Sequence, residues 1–364
     1  MARAVTIAAL VVACGSRHAP PPPAIADHPL ARDAIYPTVS HEITFITDHR
    51  PIPGTLTLPQ APGRWPALVL LAGSGPTDRD WGSPLLATNN GSGKLLAAEL
   101  ASRGAVVLRF DKAGAGKNTG PPLPEITLDT YRDEALAAIA FVRARAEVRG
   151  DRVFVAGHSE GGAHATRVAL VAQPPVAGVI YLSSVSRPMG DTMLDQLEGN
   201  LRTTFDPTYV REAMPALRTA FTDFLAGRPV DPQKASALPQ LQAIVAGLVR
   251  PVTAQLMRDL LRFDNSAVAP RLAVPVFIAS GGKDVQIDPE LDARRLDRAF
   301  RSAHRDVTLH ISPDADHVLK HEPKPLAALR ADLVSVQNNY NAYDRPLDAD
   351  VVAALVTWLA DRTR

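Results

Sequence analysis

Cysteine is nearly absent from this sequence: its 364 residues hold one, Cys14. A single thiol excludes an intrachain disulfide framework and a thiolate metal site, so the fold must be held by its core. An excess of charge of one sign is missing as well, with 39 Lys+Arg against 38 Asp+Glu and a formal net charge of +1. That balance leaves no electrostatic footprint for nucleic acid. Beyond the first residues there is no apolar run long enough to cross a bilayer, and no repeat of fixed period. Phosphate loops are lacking too. Gly93-Lys94 and Gly116-Lys117 have Thr88 and Asp111 where the upstream glycine is required, and Leu95 and Asn118 where Ser or Thr must follow. What remains, 46% hydrophobic and 21% charged, is the composition of a soluble globular protein, long enough for one large α/β domain with an insertion.

The N-terminus reads differently. "MARAVTIAALVVACGS" has one basic residue, Arg3, then a nearly unbroken apolar run from Ala4 to Ala13, too short to span a membrane. Residues 1–13 therefore read as a secretory signal. The ending "VVAC" resembles a bacterial lipoprotein signal, which implies that Cys14 is lipidated and becomes the mature N-terminus on the periplasmic or outer-surface side of a bacterial envelope. An ordinary signal with an incidental cysteine is the alternative. Residues 14–37, rich in proline and small residues, read as a semi-rigid linker, with the folded domain spanning 38–364.

Within that domain "HEITFIT" and "GTLTLP" alternate apolar and polar residues around the turn "DHRPIP", the pattern of an antiparallel hairpin. "PALVLLAG", "AVVLRFD", "RVFVAG", "VAGVIYLSS", "PVFIASG" and "DVTLHIS" are continuous apolar runs, as expected of strands covered on both faces. Helix-like segments fall between them, which predicts right-handed βαβ crossovers and a mostly parallel, doubly wound sheet. About residues 187–265 break the rhythm with several helix-like stretches and no strand, the signature of an inserted helical cap.

Chemistry enters at "VAGHSEGG". Gly157-His158-Ser159-Glu160-Gly161 fits G-x-S-x-G between a strand and a helix, the context of a nucleophile elbow. Glycine is needed because a side chain at 157 or 161 would press on the neighbouring strand and helix. The Glu160 N–H at the helix start is placed to bind the oxyanion formed when a carbonyl is attacked. The Glu160 side chain reads as a local hydrogen-bonding or substrate-facing group. A serine nucleophile requires a histidine base and an acid to orient it. Asp284 follows the strand "PVFIASG" and His317 follows "DVTLHIS", so both fall at carboxyl ends of strands in the order Ser, Asp, His. Asp288 lies further into a helix start, and Asp314 and Asp316 are too close in sequence to His317. His158 is expected to point away at the elbow and His164 to lie on the following helix.

"LAGSGPTDRD", "LRFDKAGAGKNTG", "GHSEGG", "GGKDVQI" and "ADHVLKHE", in that order, resemble an α/β-hydrolase of the bacterial serine esterase and serine aminopeptidase-like group. The resemblance covers about residues 40–362 apart from the cap. It implies the α/β-hydrolase fold, ester cleavage through an acyl-enzyme on Ser159, a small-molecule ester as substrate, and no metal or organic cofactor. The family's oxyanion loop usually begins His-Gly; here it is Ala72-Gly73. By analogy the second donor is the Ser74 N–H, with Gly75 as alternate, and Asp78, Arg79 and Asp80 match a charged cluster that holds the loop in shape. A peptidase with the same triad needs a carboxylate for the substrate amine, for which Glu160, Asp191 and Glu198 are candidates. A non-catalytic, lipid-anchored binding protein is the third possibility. Met189, Met193, Leu197, Phe221, Phe224, Leu256 and Met257 of the cap either line an acyl pocket or pack between cap helices.

Overall fold

The computed structural model describes residues 25–48, 50–86, 88–333, 335–336, 342 and 344–364. Cys14, the signal residues 1–13 and the linker up to residue 24 lie outside the described residues.

The apolar runs form strands: β1 (Thr38–Thr47), β2 (Arg50–Pro59), β3 (Trp65–Leu71), β4 (Val106–Phe110), β5 (Val148–His158), β6 (Gly178–Leu182), β7 (Val276–Gly281) and β8 (Val307–Ser312). They make one sheet in the order β1-β2-β4-β3-β5-β6-β7-β8. β1 pairs antiparallel with β2, and β2 with β4; every pairing from β4 to β8 is parallel. Most of "DHRPIP" belongs to β2 rather than to the turn, because Arg50 already pairs with Thr47. Pro51 and Pro53 are two apart, so their missing N–H groups face one side of the strand, and β4 pairs with β2 only from Gly54 onward.

Strand residues alternate between two cores, as the pleat requires. Val69, Val155 and Ile278 pack with Ala138, Ile139, Val168 and Phe300. Those partners come from α2 (Leu128–Arg143), α3 (Gly161–Ala169) and α10 (Ala293–Ser302). Leu68, Leu70 and Phe154 pack on the other face with Leu96, Leu100, Leu355 and Leu359, from α1 (Ser92–Ser102) and the C-terminal helix (Ala349–Arg362). Local sequence starts these helices: the Thr127 hydroxyl accepts the Thr130 N–H at the head of α2, and Asp348 accepts the Asp350 and Val351 N–H groups before the C-terminal helix.

Between β6 and β7 lie α4 (Met189–Thr204), α5 (Pro207–Leu225), α6 (Pro232–Ala235), α7 (Pro239–Leu248), α8 (Ala254–Arg262) and α9 (Asn265–Val268). Leu197, Leu217, Phe221, Phe224 and Leu241 give this cap a core of its own. Met193 and Met257 pack against that core, so these residues serve the cap's interior rather than a pocket. A short helix, α11 (Leu326–Ala331), follows β8 and touches α4.

The described part of the expected linker is not a spacer. His28 stacks on Trp65 at 4.3 Å, Leu30 is buried, its N–H donates to Thr363, and Asp27 pairs with Arg64. The boundary near residue 38 therefore moves toward residue 27. The proline-rich composition hid two apolar anchors, Leu30 and Tyr36, that have sites on the body. Among the described residues no helix is long and apolar enough to cross a membrane.

Candidate active site

β5 delivers His158 to the carboxyl edge of the sheet, and α3 starts at Gly161, so Ser159 and Glu160 make the whole turn. Ser159 has φ +55°, a left-handed conformation that costs a non-glycine residue of order 1–3 kcal/mol. The turn survives because neighbours fix it. The Ser159 N–H donates to the Leu182 carbonyl, and the Ser159 carbonyl accepts from Ser184 Oγ and the Gly162 N–H. Its glycines have a steric cause: a Cβ on Gly157 would lie 2.1 Å from the Gly161 carbonyl oxygen, and one on Gly161 2.5 Å from that of Leu71.

Asp284 follows β7 and His317 follows β8. The two loops meet because Gly281 has no side chain; a Cβ there would lie 2.3 Å from the Ala315 carbonyl oxygen. Asp284 Oδ2 is 2.8 Å from His317 Nδ1, and Asp284 Oδ1 accepts the Gln286 and Ile287 N–H groups at 2.8 Å. Both side chains are buried. Burial by itself lowers the His317 pKa, but the Asp284 carboxylate outweighs it and holds the imidazole above its ordinary value. The Asp316 side chain is turned away from this pair toward Arg345, at 2.8 Å, and its other oxygen caps the Val318 and Lys320 N–H groups. Asp288 pairs with Arg330, and His310 with Asp350.

His158 does not point away from the site. Its ring stacks on Trp81 at 4.2 Å, lies 4.8 Å from the His317 ring, and places Nε2 2.9 Å from the His317 carbonyl oxygen. Burial, and after it the His317 charge, pushes its pKa down to about 3, so it is a neutral imidazole donating from Nε2. His317 is thereby braced one residue from Ser159. The Ser159 hydroxyl forms no hydrogen bond among the described residues. Such bonds are often loose before substrate binds and tighten with it.

The N–H groups of Glu160, at the elbow, and of Ser74, in the loop after β3, have no acceptor among the described residues. Gly73, before Ser74, lies against Ser159: a Cβ on it would be 3.2 Å from Ser159 Cβ. The loop after β3 is held by charge. Arg79 pairs with Asp111 at 2.8 Å and Glu42 at 3.1 Å, Asp80 pairs with Arg109, and Asp78 accepts the Asp80 and Gly82 N–H groups. The Glu160 carboxylate is buried against His164 at 3.0 Å and Lys112 at 3.8 Å. It is a local bonding group; His164 lies on α3, as its sequence position predicts.

Two cavities border the cap. An apolar slot beside the elbow, lined by Leu128, Ala163, Val185, Met189, Leu260 and Phe263, is closed down to about 10 Å³. Met189 is thus the one of the apolar cap residues considered above that lines it. Past Asp284 a polar cleft of about 600 Å³ opens between α4 and the loop after β7, bordered by Arg187, Gln196, Glu198 and Arg330. Among the described residues no cluster of three or more His, Cys, Asp or Glu has the geometry of a metal site.

Sequence reasoning missed His158 and Lys112 as parts of the site. "LRFDKAGAGKNTG" was legible as a turn, but nothing in it says that the Lys112 ammonium reaches the loop after β3.

The family model for serine aminopeptidase, S33, matches residues 89–324. Esterase EstD of Thermotoga maritima is 27% identical over 274 residues, which cover 74% of this chain and 58% of that protein. Among solved structures, the Pyrococcus furiosus esterase Pf2001 aligns with 89% of this chain and 90% of its own at 14% identity and a TM-score of 0.49. Proline iminopeptidase of Mycobacterium smegmatis aligns with 83% of this chain and 99% of its own at 18% identity and a TM-score of 0.48.

Proposed function

The chain belongs to the S33 serine aminopeptidase family of α/β-hydrolases, and from that premise we propose that it hydrolyses carboxylic esters with Ser159, His317 and Asp284 as its triad. The observation that carries this reading is the buried Asp284–His317 hydrogen bond, braced beside a serine held at positive φ. Ser159 Oγ attacks the ester carbonyl while its proton passes to His317 Nε2. The tetrahedral oxyanion is received by the Glu160 and Ser74 N–H groups. Collapse expels the alcohol, which takes the proton from His317, and leaves an acyl-Ser159. Water then attacks, giving its proton to His317; the acid departs and the proton returns to Ser159.

Esters rather than peptides are favoured by the state of the carboxylates. Glu160 is engaged by Lys112 and His164, and Glu198 by Arg202 and Arg218, while Asp191 is exposed at the start of α4. Glu160 and Glu198 are thus already neutralised by cations, and Asp191 is open to solvent. The esterase name of the Thermotoga relative points the same way. The closed apolar slot favours short acyl chains. Comparing p-nitrophenyl acyl esters with aminoacyl anilides tests the reading: faster turnover of short-chain esters supports it, and preferential cleavage of anilides overturns it.

The N-terminal sequence supports a second proposal, a lipid anchor on Cys14 at a bacterial envelope. Attached acyl chains at about 0.8 kcal/mol per buried CH₂ hold a protein firmly on a membrane. Cys14→Ser is expected to move the protein from the membrane to the soluble fraction, and an unchanged membrane fraction contradicts the anchor.

A further inference from the structure

We propose that Lys112 is a positioning residue for ester hydrolysis: its ammonium holds the Gly73–Ser74 peptide with the Ser74 N–H facing the oxyanion, and it balances the carboxylate that the elbow itself carries. The inference rests on the proposed ester hydrolysis.

Lys112 stands two residues beyond β4 and is 7% exposed. Its Nζ donates to the Gly73 carbonyl, lies 3.8 Å from Glu160 Oε1 and sits 5.5 Å from the centre of the Tyr131 ring. An ammonium is costly to bury unless its donors are used, and both polar contacts fall on the two segments that border Ser159. In a trans peptide the carbonyl and the following N–H point in opposite directions. With the Gly73 carbonyl turned to Lys112, the Ser74 N–H faces the other way, and it has no acceptor among the described residues. A Cβ on Gly73 would lie 3.2 Å from Ser159 Cβ, so the peptide that Gly73 begins runs beside the serine. Thr77 Oγ1 donates to the Ser74 carbonyl at 2.6 Å, and Gly75 turns the chain at φ +68°, so the next peptide is fixed as well.

The second contact answers an electrostatic problem. Glu160 supplies one oxyanion donor from its backbone and carries a carboxylate on its side chain. Burial raises the pKa of that carboxylate, but Lys112 and His164 outweigh burial, so it stays ionised. An unbalanced negative charge there would repel the oxyanion. Lys112 therefore acts on both donors without touching substrate.

The test is Lys112→Met, which keeps the length of the side chain and removes the donor and the charge. Three quantities are read: kcat and KM on a short p-nitrophenyl ester, and the affinity for an alkyl trifluoromethyl ketone, whose adduct with serine carries the tetrahedral oxyanion. Loss of one oxyanion donor predicts a fall in kcat of about 10²–10³-fold and a matching fall in ketone affinity, with KM within about threefold. A fall in kcat with wild-type ketone affinity, or an unchanged kcat, overturns the proposal. Should the single variant fail to fold, Lys112→Met with Glu160→Gln removes the unpaired carboxylate as well. Weakened ketone affinity is again expected, and wild-type affinity in that folded variant overturns the proposal. If the wild-type protein neither hydrolyses esters nor binds the ketone, the esterase reading itself fails, which is a separate result.

Discussion

Replacing Asp284 with Asn changes one atom of the orienting group, and the structure specifies the consequence. Asp284 Oδ1 accepts two backbone N–H groups, so an Asn keeps its carbonyl oxygen there and turns its NH₂ toward His317 Nδ1. Nδ1 must then become an acceptor, which moves the imidazole proton to Nε2, the atom that has to receive the serine proton. Both groups are buried, so water does not compensate. A wrong-tautomer base lowers turnover by about 10⁴-fold, or about 5 kcal/mol of barrier. The pH profile carries an independent signature. His317 must be neutral to act, and Asp284 holds its pKa above the ordinary value, so kcat/KM of the wild type is expected to rise with pH through a limb above pH 6.5. Without the Asp284 carboxylate burial is opposed only by the weaker pull of the Asp316 charge, so the His317 pKa falls and the limb moves to lower pH. Steady-state rates from about pH 5 to 9 on an acyl ester, with circular dichroism to confirm folding, check both effects. Activity of the Asn variant within tenfold of wild type, or an unmoved limb, would refute the assigned role.

Two further outcomes follow from the same geometry. Gly157→Ala is expected to abolish activity and lower stability by several kcal/mol, since the new methyl would lie 2.1 Å from the Gly161 carbonyl oxygen; an active variant of wild-type melting temperature contradicts the steric argument. Arg79→Met leaves Asp111 buried without its guanidinium, a loss of about 3–5 kcal/mol measurable by chemical denaturation, and an unchanged midpoint would mean that this pair does not hold the loop after β3.

The doubly wound sheet was legible because covered strands have to be largely apolar: β3, β6 and β7 carry no charge, and β4 and β5 keep apolar runs beside Arg109 and the polar residues 149–152. The strand–turn–helix at Ser159 and the meeting of Asp284 with His317 were legible because glycine, a strand end and chain order constrain them locally. His158 was not: whether its ring faces outward or braces His317 depends on Trp81, which arrives from another loop at φ +69°. Lys112 stayed hidden for the same reason, since its partners are 39 residues upstream at Gly73 and 48 downstream at Glu160. The docked segment from Asp27 to Tyr36 was obscured by a composition that reads as linker, although two of its apolar side chains have sites on the body. The Glu160 side chain had two readings that only its neighbours could separate.

The central claim is that Ser159 is the nucleophile. Reaction with a fluorophosphonate, followed by peptide mass spectrometry, tests it most directly. The expected result is one adduct on the peptide carrying Ser159, absent after boiling and in Ser159→Ala, with ester hydrolysis by that variant down by about 10⁴–10⁶-fold. An adduct elsewhere, or a Ser159→Ala protein that still hydrolyses esters at the wild-type rate, would contradict the account.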